Sequence, residues 1–266
     1  MPSTYAHYKL GESVRKEILD EPQKIIEQAP ELFLIGLHGP DILFYYKPLR
    51  ANAVNQIGYG MHERPGKEFF EKAARVVRLH RKNPAYLAYV YGFICHFALD
   101  VTCHGYIEEK INASGVTHAE IEVEFDRELM LRDGLNPLWH KLTKHINPSM
   151  ENAIIIKNFY SGVGSRQVQE ALSGMIFNNN LLRAPLRIKR LLVFALLRLS
   201  GNYKEMHGLI VNYKSNPSCK DSTIKLFELY KQAEELAVQL ITEFDGYVKK
   251  ERPLNRIYDY TFGANE

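Results

Sequence analysis

The stretch from Pro84 to about Ile111 carries apolar residues all round a helical axis, yet it also holds His96, Asp100 and His104. Ionisable groups in such a helix are costly to bury unless they pair with one another or bind a cation. Residues four apart lie about 40° apart around a helix, so the three form one drifting stripe. His118 and Glu122 repeat the spacing after a short connection containing Gly115, with Thr117 as a suitable N-cap for a helix from His118 to about Arg132. A connection that short folds the second helix back beside the first, bringing five donors onto two facing helices. Histidine with carboxylate is a donor set that zinc accepts. A lone histidine on an apolar face is more often a hydrogen-bonded core residue than a ligand. The shared phase of three histidines and two acids is what favours a metal.

Helical spacing also dominates the rest of the chain, so the expected fold is all-α. It is read as a single-domain multi-helix bundle over residues 1–266, with a metal cluster buried between central helices, a metal-ligand half at 1–135 and a helical completion at 136–266. Gly11 to Gln28 predicts a first helix bent or restarted at Pro22. The Gly- and Pro-punctuated, aromatic-rich segment from Leu34 to Pro48 predicts a packed loop or short helical turns. Lys67 to Lys82 predicts an amphipathic helix, Asn83-Pro84 a boundary and cap, and Asp221 to Lys249 a long final helix. Between them, breaks are expected at Asn136-Pro137, Asn147-Pro148, Gly162–Gly164, Asn178–Asn180, Gly201-Asn202 and Asn216-Pro217.

A chain of 266 residues, 45% of them hydrophobic, can build a sizeable core, and a net charge of +3 is too mild to argue for nucleic acid. Cys95, Cys103 and Cys219 make no disulfide framework, which fits a reducing compartment. The first residues show no basic segment followed by an apolar one, and no uninterrupted apolar run is long enough to span a bilayer. The expectation is therefore a cytoplasmic protein without a transmembrane segment.

His96-x-x-x-Asp100, His104 and His118-x-x-x-Glu122 together resemble the core signature of the zinc-dependent phospholipase C family, an all-helical fold shared with fungal single-strand nucleases. Gly39-Pro40-Asp41 followed by Phe44-Tyr45-Tyr46 is similar to the family segment that contributes an aspartate ligand. His62 matches the histidine that follows it, and His7 resembles the family's N-terminal histidine ligand. The resemblance covers roughly the first half of the chain and implies two or three zinc ions. His104, His118 and Glu122 would hold one, Asp41, His62, His96 and Asp100 a second, and His7 with a bridging Asp100 would contribute to a third. In secreted members an N-terminal tryptophan chelates the third metal, whereas the only tryptophan here is Trp139, and the Asp100–His104 gap is shorter than in the best-known members.

Clustered zinc ions make hydroxide available near neutral pH and stabilise the oxygens of a phosphate undergoing displacement, so the site implies phosphate-ester hydrolysis. Asp41 is the candidate for both ligand and catalytic base. Phe44, Tyr45, Tyr46 and Tyr59 are candidates for a substrate pocket, although core packing accounts for aromatics as readily. His38 is a candidate for supporting the ligands, while His80, His140, His145 and His207 lack phased partners. The expected activity is that of a phospholipase C-like phosphodiesterase acting on a lipid or small-molecule phosphate ester. The alternatives are a single-strand nuclease or nucleotidase, which no basic groove with stacking aromatics favours, and a non-catalytic zinc-stabilised interaction module. Arg183–Arg198 mixes basic and bulky apolar residues. It reads as a buried helix with a basic end, because Leu191 to Leu197 is apolar all round, with peripheral contact with anionic lipid as the other option.

Overall fold

The computed structural model describes residues 4–263. Among them are α1 (Thr4–Glu17), α2 (Asp20–Gln28), α3 (Pro30–Gly36), a 3-10 helix at Gly39–Tyr45, α4 (Ala53–His62), α5 (Gly66–Leu79), α6 (Pro84–Ser114) and α7 (His118–Arg132). α8 (Met150–Ile156), α9 (Ser165–Leu182), α10 (Arg187–Leu199), α11 (Tyr203–Met206) and α12 (Lys220–Lys249) follow, and the described residues contain no strand. The chain is all-α, as its periodicity predicts.

α6 is the axis of the molecule. Every residue from Tyr86 to Asp100 is buried, and α1, α2, α3, α5, α7, α8 and α12 all pack against it. By length and composition α6 meets the measure of a membrane-crossing helix, which corrects the expectation that no run suffices. Its apolar window is 89% buried inside the protein. α3 crosses it closely, because Gly36 and Gly92 meet: a Cβ on either would strike the partner helix backbone, that on Gly92 lying 2.9 Å from Gly36 Cα. This approach sets the following 3-10 helix, with Asp41, against the His96 turn of α6.

Local signals explain where the site-bearing helices begin. Asn83 caps α6 by accepting from the Ala85 N–H (2.9 Å), and α6 ends at Gly115, whose φ of +70° favours glycine. Two residues later Thr117 Oγ1 accepts from Glu120 N, while Glu120 Oε2 accepts from Thr117 N (3.1 Å), a reciprocal capping box that starts α7 at His118.

The first helix begins earlier than expected, at Thr4, and the break falls before Pro22, where Asp20 adopts a φ of +62°. Pro22 then sits in the first turn of α2, where its missing N–H costs nothing. The predicted break at Asn178–Asn180 is absent. Side-chain amides of Asn178 and Asn179 bond back to the carbonyls of Gly174 (2.8 Å) and Met175 (3.0 Å), and α9 packs on the 3-10 helix through Gly174, so tertiary contact overrides the local preference.

A second correction concerns Arg183–Arg198. The segment is not a buried helix: α10 buries only Arg190, Val193 and Leu197 and leaves Ile188, Leu191, Leu192, Leu196 and Leu199 in solvent. Its inner face belongs to a small apolar cluster of Ala184, Val193, Leu197 and Ile210, separate from the main core around α6. Cys95, Cys103 and Cys219 are buried thiols with no disulfide.

Candidate metal centre

The eight residues singled out by spacing and resemblance all converge at one place. α6 supplies His96, Asp100 and His104, α7 supplies His118 and Glu122, α1 supplies His7, α4 supplies His62 at its last residue, and the 3-10 helix supplies Asp41. Three groups of donor atoms result, each within 4.8 Å of one another: His7, His96 and Asp100; Asp41, His62 and His96; and His104, His118 and Glu122. Asp100 joins them. Its Oδ1 faces His7 Nε2 (3.4 Å) and His104 Nε2 (3.6 Å), and its Oδ2 faces His96 Nε2 (3.1 Å) and His62 Nε2 (3.8 Å).

The separations are compatible with donors that share a metal. Two donors on a tetrahedral zinc are about 3.4 Å apart, given bonds of about 2.0–2.1 Å. His62 Nε2 to Asp41 Oδ1 is 3.1 Å, His104 Nε2 to Glu122 Oε1 is 3.5 Å and His118 Nε2 to Glu122 Oε1 is 3.0 Å. Even so, His96 Nδ1 and Nε2, His118 Nε2, His7 Nδ1 and Asp41 Oδ1 are buried without a hydrogen bond. Buried polar atoms are nearly always satisfied, so the orphans that face the centre, His96 Nε2, His118 Nε2 and Asp41 Oδ1, call for a cation.

Supporting contacts present Nε2 of two histidines inward. His62 Nδ1 lies 3.0 Å from Gly58 O and His104 Nδ1 lies 2.9 Å from Phe262 O; a proton at each Nδ1 donates to the carbonyl and leaves Nε2 bare. Charge is balanced internally. Burial opposes it, but Asp100 and Glu122 raise His104 to about 9, and Asp41 and Asp100 likewise hold His62 above its ordinary value. Against burial, which would raise them, the neighbouring histidines keep Asp100 and Glu122 well below the usual carboxylate range. The centre thus concentrates carboxylate charge beside His62 and His104, and a metal held there would take the place of their protons. A void of about 20 Å³ lies among His7, Asp100, His104 and Glu122, enough for about one small atom.

Beside this centre opens a cavity of about 660 Å³. His118, Phe44, Tyr45 and Tyr59 line it, with Phe44 stacked on Tyr59 at 4.3 Å, and so do Leu182 and Met206. Tyr46 does not line the cavity; it is half-buried beneath the Lys47 ammonium, 5.0 Å above its ring. His38 is buried and turns its Nε2 to His145 Nε2 (2.7 Å).

Two contributors escaped the sequence reading. Asp126 accepts from the backbone N–H groups of Tyr5 (2.9 Å) and Ala6 (2.8 Å), anchoring the first turn of the helix that carries His7. It continues the beat of His118 and Glu122 by four residues, a signal that was present. Phe262, whose carbonyl orients His104, comes from 158 residues away and has no such signal. The family's N-terminal chelate would fall at residue 1, outside the described residues.

No curated protein and no solved structure matches the chain. The family model described as zinc-dependent phospholipase C matches residues 6–172, a span that includes all eight converging residues. With well over half of its length matched by the family model, the chain belongs to the zinc-dependent phospholipase C family.

Proposed function

We propose that this protein is a zinc-dependent hydrolase that cleaves the phosphodiester of a phospholipid on the glycerol side of phosphorus. The observation that carries the reading is the cavity of about 660 Å³, largely apolar in its lining, that opens at His118 beside the three donor groups. A closed structural zinc site has no use for such a space, whereas a substrate with acyl chains does. His104, His118 and Glu122 would hold one ion, Asp41, His62, His96 and Asp100 a second, and His7 with Asp100 part of a third. Bound zinc supplies a water acidified to near neutrality and positive charge for the phosphoryl oxygens.

The residues set the rest of the chemistry. Although burial would raise it, His62 keeps the Asp41 carboxyl below its ordinary value, so it is ionised and able to accept the proton of an attacking water. The water oxygen bonds to phosphorus as the bond from phosphorus to the glycerol oxygen breaks, and the proton taken from the water passes to that oxygen, leaving diacylglycerol and a phosphorylated alcohol. Phe44, Tyr45 and Tyr59 exclude bulk water along one wall. Most of the cavity lining is apolar, which suits acyl chains better than the charged backbone of a single strand and keeps the nuclease reading second.

The test is hydrolysis of short-chain phospholipids by zinc-replete protein, with single-stranded oligonucleotides assayed in parallel and metal counted by mass spectrometry. Phosphorylated alcohol should appear, and chelator should abolish it. His96→Ala/His118→Ala should lose both metal and rate. Zinc-loaded protein inert towards every phospholipid, or a double variant with unchanged metal content, would sink the proposal.

A further inference from the structure

The outward face of α10 is apolar. Ile188, Leu191, Leu192, Leu196 and Leu199 lie on it at spacings of one, three and four, each between 57% and 86% exposed, and Leu186 just before the helix is exposed as well. A helix in water normally buries such a stripe, yet here the opposite face, with Val193 and Leu197, is the one already packed inward. The charge around the stripe has one sign. From Arg183 to Lys204 the chain holds six basic residues and no acid; Arg190 turns inward and Arg183 and Lys189 bond backbone carbonyls, while Arg187 and Arg198 are exposed beside the aliphatic residues.

We propose that this face of α10 is a docking surface for an anionic lipid bilayer. Bulky aliphatic side chains flanked by arginine and lysine match the boundary between acyl chains and acidic headgroups, with the long basic side chains reaching the phosphates. A second copy of the chain is a poorer fit, because pairing α10 with itself would bring together the Arg187 and Arg198 that flank the stripe, with no acid on the helix to offset them. Position supports the assignment: Arg190 on the inner face of the same helix lines the cavity beside the metal centre, together with Leu182 and Ala184. One helix therefore separates the docking face from the cavity, and a bilayer seated on α10 lies next to it. The inference shares its lipid partner with the hydrolase reading, but binding is measured without turnover.

Sedimentation with vesicles of phosphatidylcholine, with and without phosphatidylserine, tests it. The protein should bind the acidic vesicles more tightly than the neutral ones, and high salt should weaken binding. Leu191→Gln/Leu196→Gln keeps good helix formers on an exposed face and should lower binding at least about tenfold. The same variant should hydrolyse a monomeric short-chain phospholipid at the unaltered rate. Leu79→Gln, at a comparably exposed leucine on α5, should change nothing. Failure of the native protein to bind acidic vesicles overturns the proposal, as does unchanged binding by the double variant. So does self-association that the double variant abolishes. Vesicle binding without turnover of any phospholipid would support the docking face while overturning the hydrolase reading.

Discussion

Gly39→Ala asks how closely the backbone is built around His96. Gly39 has a φ of +47°, where an alanine costs about 1 kcal/mol. Its new Cβ would overlap His96 Cδ2 and lie 2.6 Å from Cγ and 2.8 Å from Nε2. The ring has little room to retreat, since it is fully buried and stacked on His7 with centroids 4.3 Å apart. Overpacking of this kind adds about 1–3 kcal/mol, so the expected loss is about 2–4 kcal/mol, a large share of the roughly 5–15 kcal/mol that holds a domain folded. The same displacement moves His96 Nε2 relative to Asp100 and Asp41. His104, His118 and Glu122 form a group without His96 and should keep their affinity. Urea unfolding of the metal-free protein measures the first effect, and equilibrium dialysis against zinc the second. A variant with the native midpoint and native zinc stoichiometry would refute the packing argument.

Three further outcomes are expected. Ending the chain after Asp259 removes the Phe262 carbonyl from His104 together with the buried Phe262 ring, and should weaken zinc binding roughly 10–100-fold while lowering urea stability by about 3–5 kcal/mol. Asp126→Ala removes two carboxylate bonds to the start of α1 and should cost about 2–4 kcal/mol in thermal or urea unfolding, together with zinc affinity at His7; an equally stable variant would rule out the anchoring role. His145 is held down to about 4, first by burial and then by His140, so between that value and its ordinary 6.5 the unfolded chain binds more protons than the folded one. Stability should therefore rise with pH across this window and fall away as pH drops from about 6.5 towards about 4, by up to about 3 kcal/mol from this group. His145→Gln, compared with the native protein by urea unfolding at pH 7 and pH 4.5, should flatten that dependence.

Much of the centre is written in local spacing. The four-residue beat of His96, Asp100 and His104, and of His118 and Glu122, is read directly because helix geometry turns sequence intervals into angles. The capping signals at Asn83 and Thr117 are equally local, and both helices begin where those residues place them. Asp41, His62 and His7 were found by resemblance, since no periodicity links a 3-10 helix, the end of α4 and the first helix to α6.

What tertiary structure decided is whatever depends on contacts between distant segments. The Gly36–Gly92 crossing that carries Asp41 to His96, the Phe262 carbonyl at His104 and the continuation of α9 through Asn178–Asn180 all arise from packing whose energy exceeds the local preference. α10 is the sharpest case. An all-apolar run does not say which side will find a partner, and here Val193 and Leu197 were buried while Leu191, Leu192 and Leu196 were left outside. By itself the sequence determined the all-helical fold and the ligand stripe, because both follow from the period of a helix. The faces left open to substrate and solvent were decided only when the helices packed, because burial is a property of neighbours.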